Sequence, residues 1–573
     1  MKINYILSFP APHTHYVEVE MHISDIANNN LQLKMAVWTP GSYLIREFQK
    51  NIDFIEYKAE NNLWKRLEKS DKNTWLLNVE NRNEITLRYA VYSFEYSVRT
   101  NFVDTTHALI NGASTFLYID GAEDTALNIN IHPFDEWQQI STALPQAGDN
   151  KWLRTAANID ELIDSPIEIG NHTSYFFQAA SIQHELAIYG ESNIDIEKII
   201  EDLKKIIEEE VKIFGSHPCE KYVFIIHHTD SSYGGLEHLN SSVNHITRWS
   251  YDKENYQRSI SLLAHEYFHL WNVKRIRPST LIPYNYNSEN YTDLLWFFEG
   301  ITSYYDDYVC YRAGVTPLDS FLKIIEKNIN DVINNTGFNV QTLSESSFDT
   351  WLKYYRRNEN SINAHVNYYT QGALITMLID LSIIHASNGQ KSLDDVMRTL
   401  YDAYLKQNYK GITEEDIILA IDSVCPINSK NLFDQYLRST TPMHVIDFFE
   451  NIGIEANEKS DENVIYLGLG FSWKENKLMI TQVDKQYGAS IGGLSAEDEI
   501  IAIDGFRVNK NYKNIYAHKK VNDTIEVTIA RQGILKTLQV PLTADRFKKI
   551  TLQKLSNPNE SQQIKLEKWL GKN

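Results

Sequence analysis

At 573 residues the chain exceeds one ordinary domain, and three or four are expected. Its 43% hydrophobic and 23% charged residues, with 34 tyrosines and 11 tryptophans, are the composition of a folded protein and exclude a disordered one. A net charge of −20 argues against nucleic acid and against an anionic membrane surface, which both need clustered Lys and Arg.

Short basic runs such as Lys274-Arg275-Ile276-Arg277 read as structural or substrate-facing. Three widely separated cysteines, Cys219, Cys310 and Cys425, have neither the even count of a disulfide framework nor zinc-ligand spacing. The first ten residues, Met1 to Pro10, carry one positive charge and an apolar run too short for a secretory signal. No uninterrupted stretch of about 18 apolar residues is present. A soluble, cytoplasmic protein is expected, or a periplasmic one if a leader has been removed.

Residues 1 to about 170 read as strands. Tyr16 to Ile23 and Leu31 to Val37 alternate apolar and polar side chains, and Pro40-Gly41-Ser42 and Asn111-Gly112 are turn clusters between strands. A helix begins near Ile196, where Ile196, Ile199, Leu203 and Ile206 recur at helical spacing, and Tyr222 to Ile226 is a buried strand. Helices dominate from about 255 to 450, including Tyr368 to Ser387 and Leu393 to Gln407. The polar stretch Asn457 to Asn463 reads as a linker, short strands return over 464–545, and a charged tail follows over 546–573.

The chemistry concentrates in Ser261-Leu262-Leu263-Ala264-His265-Glu266-Tyr267-Phe268-His269-Leu270-Trp271. Ile260, Leu263, Ala264, Tyr267, Phe268 and Trp271 repeat at helical intervals, so the segment is a buried helix. Four residues is close to one turn, which puts His265 and His269 on one face, within reach of one ion. Zinc suits imidazole nitrogen in an apolar pocket, and Glu266 is placed to take a proton from metal-bound water. Two histidines and a glutamate buried with no cation would be costly.

A catalytic zinc needs a third protein ligand and an open position. Glu289 follows His269 by twenty residues but lies in Pro283-Tyr284-Asn285-Tyr286-Asn287-Ser288-Glu289-Asn290, a loop composition. Glu299 lies where Leu294, Phe298, Ile301, Tyr305 and Tyr308 mark a second buried helix, and a carboxylate there needs a cation. Glu299 is favoured over Glu289.

Upstream, Gly234-Gly235 precedes Glu237. Paired glycines allow close backbone approach, as of an extended peptide to a strand edge, and the carboxylate can then bind a substrate ammonium. Asn367-Tyr368-Tyr369-Thr370-Gln371-Gly372 offers phenols near a helix start, where a hydroxyl can stabilise an oxyanion.

The set Gly234-Gly235-Leu236-Glu237-His238, His265-Glu266-Tyr267-Phe268-His269 and Trp296-Phe297-Phe298-Glu299-Gly300 resembles the gluzincin aminopeptidases. More closely it resembles the glycyl aminopeptidase family, as do Trp38 to Tyr43, Asp164 to Gly170 and Trp271 to Pro278. The resemblance runs over nearly the whole chain. It implies a multidomain α+β fold: a β-rich N-terminal domain (1–170), a thermolysin-like catalytic domain with a helical extension (171–456) and a C-terminal PDZ domain (464–545). It places Glu237 at the substrate's α-amine and Tyr369 at the oxyanion. Two departures are the longer gap from His269 to Glu299 and His238 in place of Asn. Gly468-Leu469-Gly470-Phe471 resembles the carboxylate-binding loop of PDZ domains, and Ile491 to Gly505 fits their later strands; ligands there bind by strand addition.

The expected function is a zinc aminopeptidase, with about one ion per chain, acting on peptides with a free N-terminus; preference for glycine or alanine is implied by resemblance alone. The second partner expected is a peptide or protein C-terminus at the PDZ domain. The rivals are an endopeptidase with the same metal site and a PDZ-led peptide-binding protein whose zinc site is inert.

Overall fold

The computed structural model describes residues 1–60, 62–253, 255–406, 409–460 and 463–571. Gln407 at the end of an expected helix, Asp461 and Glu462 of the expected linker, and the last two residues of the expected tail lie outside the described residues. The chain divides into two compact units: Met1–Thr292 with Tyr305–Pro317 and Asp394–Glu415, and Asp293–Tyr304 with Leu318–Leu393 and Asp416–Asn573.

The first unit opens with a seven-stranded sheet. Lys2–Ser8 pairs antiparallel with Tyr16–Ser24 and parallel with Leu127–His132. Val17, Val19, Met21 and Ile23 turn inward, while Glu18 and Glu20 face out, as the period-two pattern requires. Leu33, Met35, Leu87 and Tyr89 join them in one core.

A five-stranded sheet follows, ordered Thr173–Ala179, Ile182–Tyr189, Lys221–Thr229, Ser241–Thr247, Gly234–Glu237. Lys221–Thr229 is buried along nearly its whole length, which explains its unbroken apolar run. Gly234–Glu237 is the edge strand, antiparallel to Ser241–Thr247. Helix α1 (Ile196–Phe214) starts where Asp195 accepts from the Lys198 amide and stops at Gly215, whose φ of +86° only glycine adopts easily. Helix α2 (Tyr256–Phe268) packs on α1 and on the Gly234–Glu237 and Ser241–Thr247 strands. The basic run after it is structural. Lys274 is buried against Asp164, and Arg275 donates to the carbonyls of Leu239 and Leu270.

Helix α3 (Leu295–Arg312) begins in the second unit and ends in the first. The second unit continues with α4 (Leu318–Ile333) and α5 (Tyr368–Ala386), the latter apolar on all sides and almost wholly buried. The helix expected over Leu393 to Gln407 runs Leu393–Tyr404. A C-terminal β module orders Leu469–Lys474, Lys477–Val483, Glu499–Ile503, Thr524–Arg531 and Ile534–Pro541 around Leu478, Ile480, Ile500, Ile503, Ile525 and Val527.

One expectation fails here, and the expected charged tail proves to carry elements of its own. The linker's first residues belong to a strand, Ile454–Lys459, and the charged tail forms the strand Lys549–Lys554 that pairs with it, then α6 (Glu560–Leu570). Most of their charged side chains are exposed or half-buried, although Lys565 is buried with its Nζ 3.2 Å from His385 Nδ1. Ile550 and Leu552 face inward, and Trp569 is 1% exposed, its indole N–H donating to the Tyr304 hydroxyl at 3.0 Å. Main chain of the returning strand is held by side chains of α4. Asn330 both accepts from and donates to Ile550, and Asn334 does the same with Lys548.

Candidate metal centre and peptidase site

In the first unit, α2 and the residue just past its end carry His265 and His269, and their Nε2 atoms face each other at 3.1 Å. Each ring's other nitrogen is committed. His265 Nδ1 lies 2.9 Å from Asp306 Oδ2, and His269 Nδ1 lies 2.8 Å from the Asn272 carbonyl. Both partners are acceptors, so each Nδ1 holds the proton and both Nε2 lone pairs converge on one point. That arrangement fits a cation, since two imidazole acceptors at this distance otherwise repel. Burial pushes the Asp306 carboxyl up, with the His265 hydrogen bond opposing. Burial and Asp306 push its neighbour Asp307, which accepts from Ser261, up to about 7.

Glu266 and Glu237 are each 4% exposed, and Glu237, Glu266 and His269 offer ligand atoms all within 4.8 Å of one another. The Gly234–Glu237 edge strand lies directly against Glu266. A β-carbon on Gly235 would sit 2.1 Å from Glu266 Oε1, so glycine there is a matter of space. The loop at Gly41, whose φ is +85°, presses on the next carboxylate, its notional β-carbon 2.6 Å from Glu237 Oε1. That oxygen is buried with no hydrogen-bond partner among the described residues. A desolvated carboxylate oxygen in this state is poised for a cationic ligand.

His238, the departure from the usual Asn, turns away from solvent. Its Nδ1 lies 3.1 Å from Asp164 Oδ1, and Lys274 Nζ lies 2.9 and 3.1 Å from the two oxygens of the same carboxylate. Despite burial, the Lys274 and His238 partners hold Asp164 below its ordinary range. Sequence reasoning missed Asp164 and Asp306 as members of the site. Asp306 had a signal: it lies seven residues, about two turns, after Glu299 in the same helix.

In the second unit, Glu299 is 2% exposed in the first half of α3. There α3 and α5 cross at two glycines: a β-carbon on Gly300 would be 2.5 Å from the Gly372 α-carbon. The crossing brings Tyr369, one turn before Gly372, into the field of Glu299. Burial first, and then Glu299, push its phenol well above the ordinary tyrosine value. Asn367 caps α5 by accepting from the Tyr369 amide at 2.9 Å. Glu289, the competing carboxylate, is half-buried in irregular chain of the first unit. Gly468 has a φ of +74° and leads into Leu469–Lys474, the edge strand of the β module; Phe471 meets Tyr512 with ring centroids 5.3 Å apart.

Comparison with known proteins agrees with this architecture. Residues 4–171 match the Peptidase M61 N-terminal domain, residues 258–375 the M61 glycyl aminopeptidase domain, and residues 465–542 a PDZ domain. A crystal structure of an aminopeptidase N family protein from Idiomarina loihiensis is 29% identical, with a TM-score of 0.92 over 99% of this chain and 100% of that one. An M1 zinc metallopeptidase from Deinococcus radiodurans is similar at 8% identity and a TM-score of 0.49, over 78% of this chain and 95% of that one. No curated protein matches. Fold and matches together define a metallopeptidase of the aminopeptidase class, with a β-rich N-terminal domain, a gluzincin-like catalytic domain and a C-terminal PDZ domain. The two M61 matches span Trp38 to Tyr43, Asp164 to Gly170, His265 to His269 and Trp296 to Gly300, segments that carry the resemblance seen in the sequence. Among the described residues no helix is long and apolar enough to cross a membrane.

Proposed function

We propose that the chain is a zinc aminopeptidase in which His265, His269 and Glu299 hold about one ion per chain. The observation that carries this reading is the pair of Nε2 atoms facing each other at 3.1 Å with both Nδ1 atoms committed to acceptors. Support for Glu299 is its burial and its place on α3, two turns before the Asp306 that holds His265, so both carboxylates share one face of the helix. Two imidazoles and one carboxylate are a ligand set of catalytic zinc, and bound zinc lowers the pKa of water and polarises a carbonyl.

The remaining work falls to side chains. Glu266 takes the proton of the attacking water and passes it to the leaving amine. Glu237 accepts from the substrate's α-ammonium, which ends the cleft one residue before the scissile bond. The substrate backbone lies along the outer edge of Gly234–Glu237, where Gly234 and Gly235 leave room for it. Tyr369 donates to the oxyanion, and a phenol held well above its ordinary pKa keeps that proton. The family's description supports a preference for N-terminal glycine, extended to alanine as the next smallest residue. At the PDZ domain, Gly468, Leu469, Gly470 and Phe471 receive a peptide C-terminus by strand addition on Leu469–Lys474.

The test is hydrolysis of a glycine-initiated peptide and its N-acetylated form by the metal-replete protein. The free peptide should be cleaved after its first residue and the acetylated one spared. Glu266→Gln should keep its metal and lose nearly all turnover. Internal cleavage of the acetylated peptide would replace this reading with the endopeptidase one.

A further inference from the structure

The second unit contains a cavity of about 580 Å³, within the range of small-ligand sites. It lies between the first turn of α5 and the PDZ domain. Arg357, His365, Thr370 and Gln371 form one side, Gln482 and Asp484 the other. The walls are joined by Asn363, whose side chain donates to the Val483 carbonyl at 2.8 Å and accepts from the Lys485 amide at 2.9 Å.

Polar groups in the lining have no hydrogen-bond partner among the described residues. Gln371 is 2% exposed and its Nε2 has no hydrogen bond among the described residues; His365 Nδ1 is in the same state. Arg357 makes no ion pair among the described residues, its guanidinium resting 4.7 Å from the Tyr354 ring. The acidic groups are already engaged. Asp331 pairs with Lys327 at 2.7 Å, and Asp484, 4% exposed, accepts from the Gln486 amide at 3.1 Å. The Tyr354 ring also lies 5.5 Å from that of Tyr369, and Thr370 and Gln371 of the lining follow Tyr369 in sequence, which puts the cavity next to the residue assigned to the oxyanion.

We propose that this cavity receives the C-terminal end of a short peptide substrate, its carboxylate on Arg357 and a main-chain carbonyl on the Gln371 carboxamide. An unpaired guanidinium recognises a carboxylate by charge and geometry, and a buried carboxamide without a partner is satisfied by a peptide group. The PDZ wall then limits the length of chain beyond the scissile bond. This inference rests on the aminopeptidase reading, because it takes Tyr369 to mark the reacting carbonyl.

The experiment compares Gly-Ala-Ala with its C-terminal amide and with a ten-residue peptide of the same start, on the full-length protein. Glycine 4-nitroanilide, which has no carboxylate, reports the hydrolytic centre separately. The acid should be preferred over the amide by about tenfold in kcat/KM, mainly through KM, the size of one charge-assisted hydrogen bond. Arg357→Ala should abolish that preference, and the ten-residue peptide should be the poorer substrate. An acid-to-amide ratio near one in the wild type, or a ratio unchanged in Arg357→Ala, overturns the carboxylate site; equal rates on three and ten residues overturn the length limit. If neither the anilide nor the peptides are cleaved, the aminopeptidase reading fails. Calorimetry on Glu266→Gln then still decides the cavity: tighter binding of the acid than of the amide, lost on adding Arg357→Ala, upholds it, and equal binding overturns it.

Discussion

Gly235 and Glu266 touch so closely that a β-carbon on the glycine would lie 2.1 Å from the carboxylate oxygen Oε1. The strand edge thereby fixes where the carboxylate of Glu266, the proposed general base, points. Gly235→Ala should displace Glu266 and lower kcat on the order of a hundredfold, the usual consequence of a misplacement of about 1 Å. Metal content and circular dichroism should stay as in the wild type, since no ligand moves. An unchanged kcat would show that the strand does not position the base.

Asp306 lies 2.9 Å from His265 Nδ1 and fixes that ring's tautomer. Asp306→Asn keeps the volume and removes the charge, and should weaken metal affinity about 10- to 100-fold. Chelator competition measures it; an unchanged affinity would remove Asp306 from the site.

Glu299→Ala should lose both metal and activity, whereas Glu289→Ala should keep both. Metal analysis of the two purified variants separates them, and metal that depends on Glu289 would reverse the assignment.

Glu237 holds one buried oxygen with no hydrogen-bond partner among the described residues. Glu237→Ala should lower kcat/KM on free-amine peptides by roughly a hundredfold, about 3 kcal/mol, with a much smaller loss on acetylated ones. Tyr369→Phe should instead lower kcat with little change in KM. Equal losses on both peptides in Glu237→Ala would show that this carboxylate does not read the amine.

What the sequence determined by itself is what short-range periodicity encodes. The spacing of His265 and His269 is a helical turn, and the apolar intervals around Glu299 mark a buried helix. The alternation of Tyr16–Ser24 assigns its two faces. The same local reading took Asn457 to Lys459 for linker and saw no element in residues 549–570, because charged residues outnumber the few, such as Ile550, Leu552 and Trp569, that supply the apolar contact. Two apolar residues in a six-residue strand amid many charges make an alternation too short to stand out from a polar run. Tertiary structure alone decided which distant groups meet. Asp164 joins Lys274, 110 residues away, and Asp306 joins His265 across 41. Gly300 proves to be a close-approach position against Gly372, and the partner of Gly235 proves to be Glu266. Such pairings are set by how helices and strands pack, and chain-local spacing carries no trace of which distant partner a buried charge or a glycine will meet.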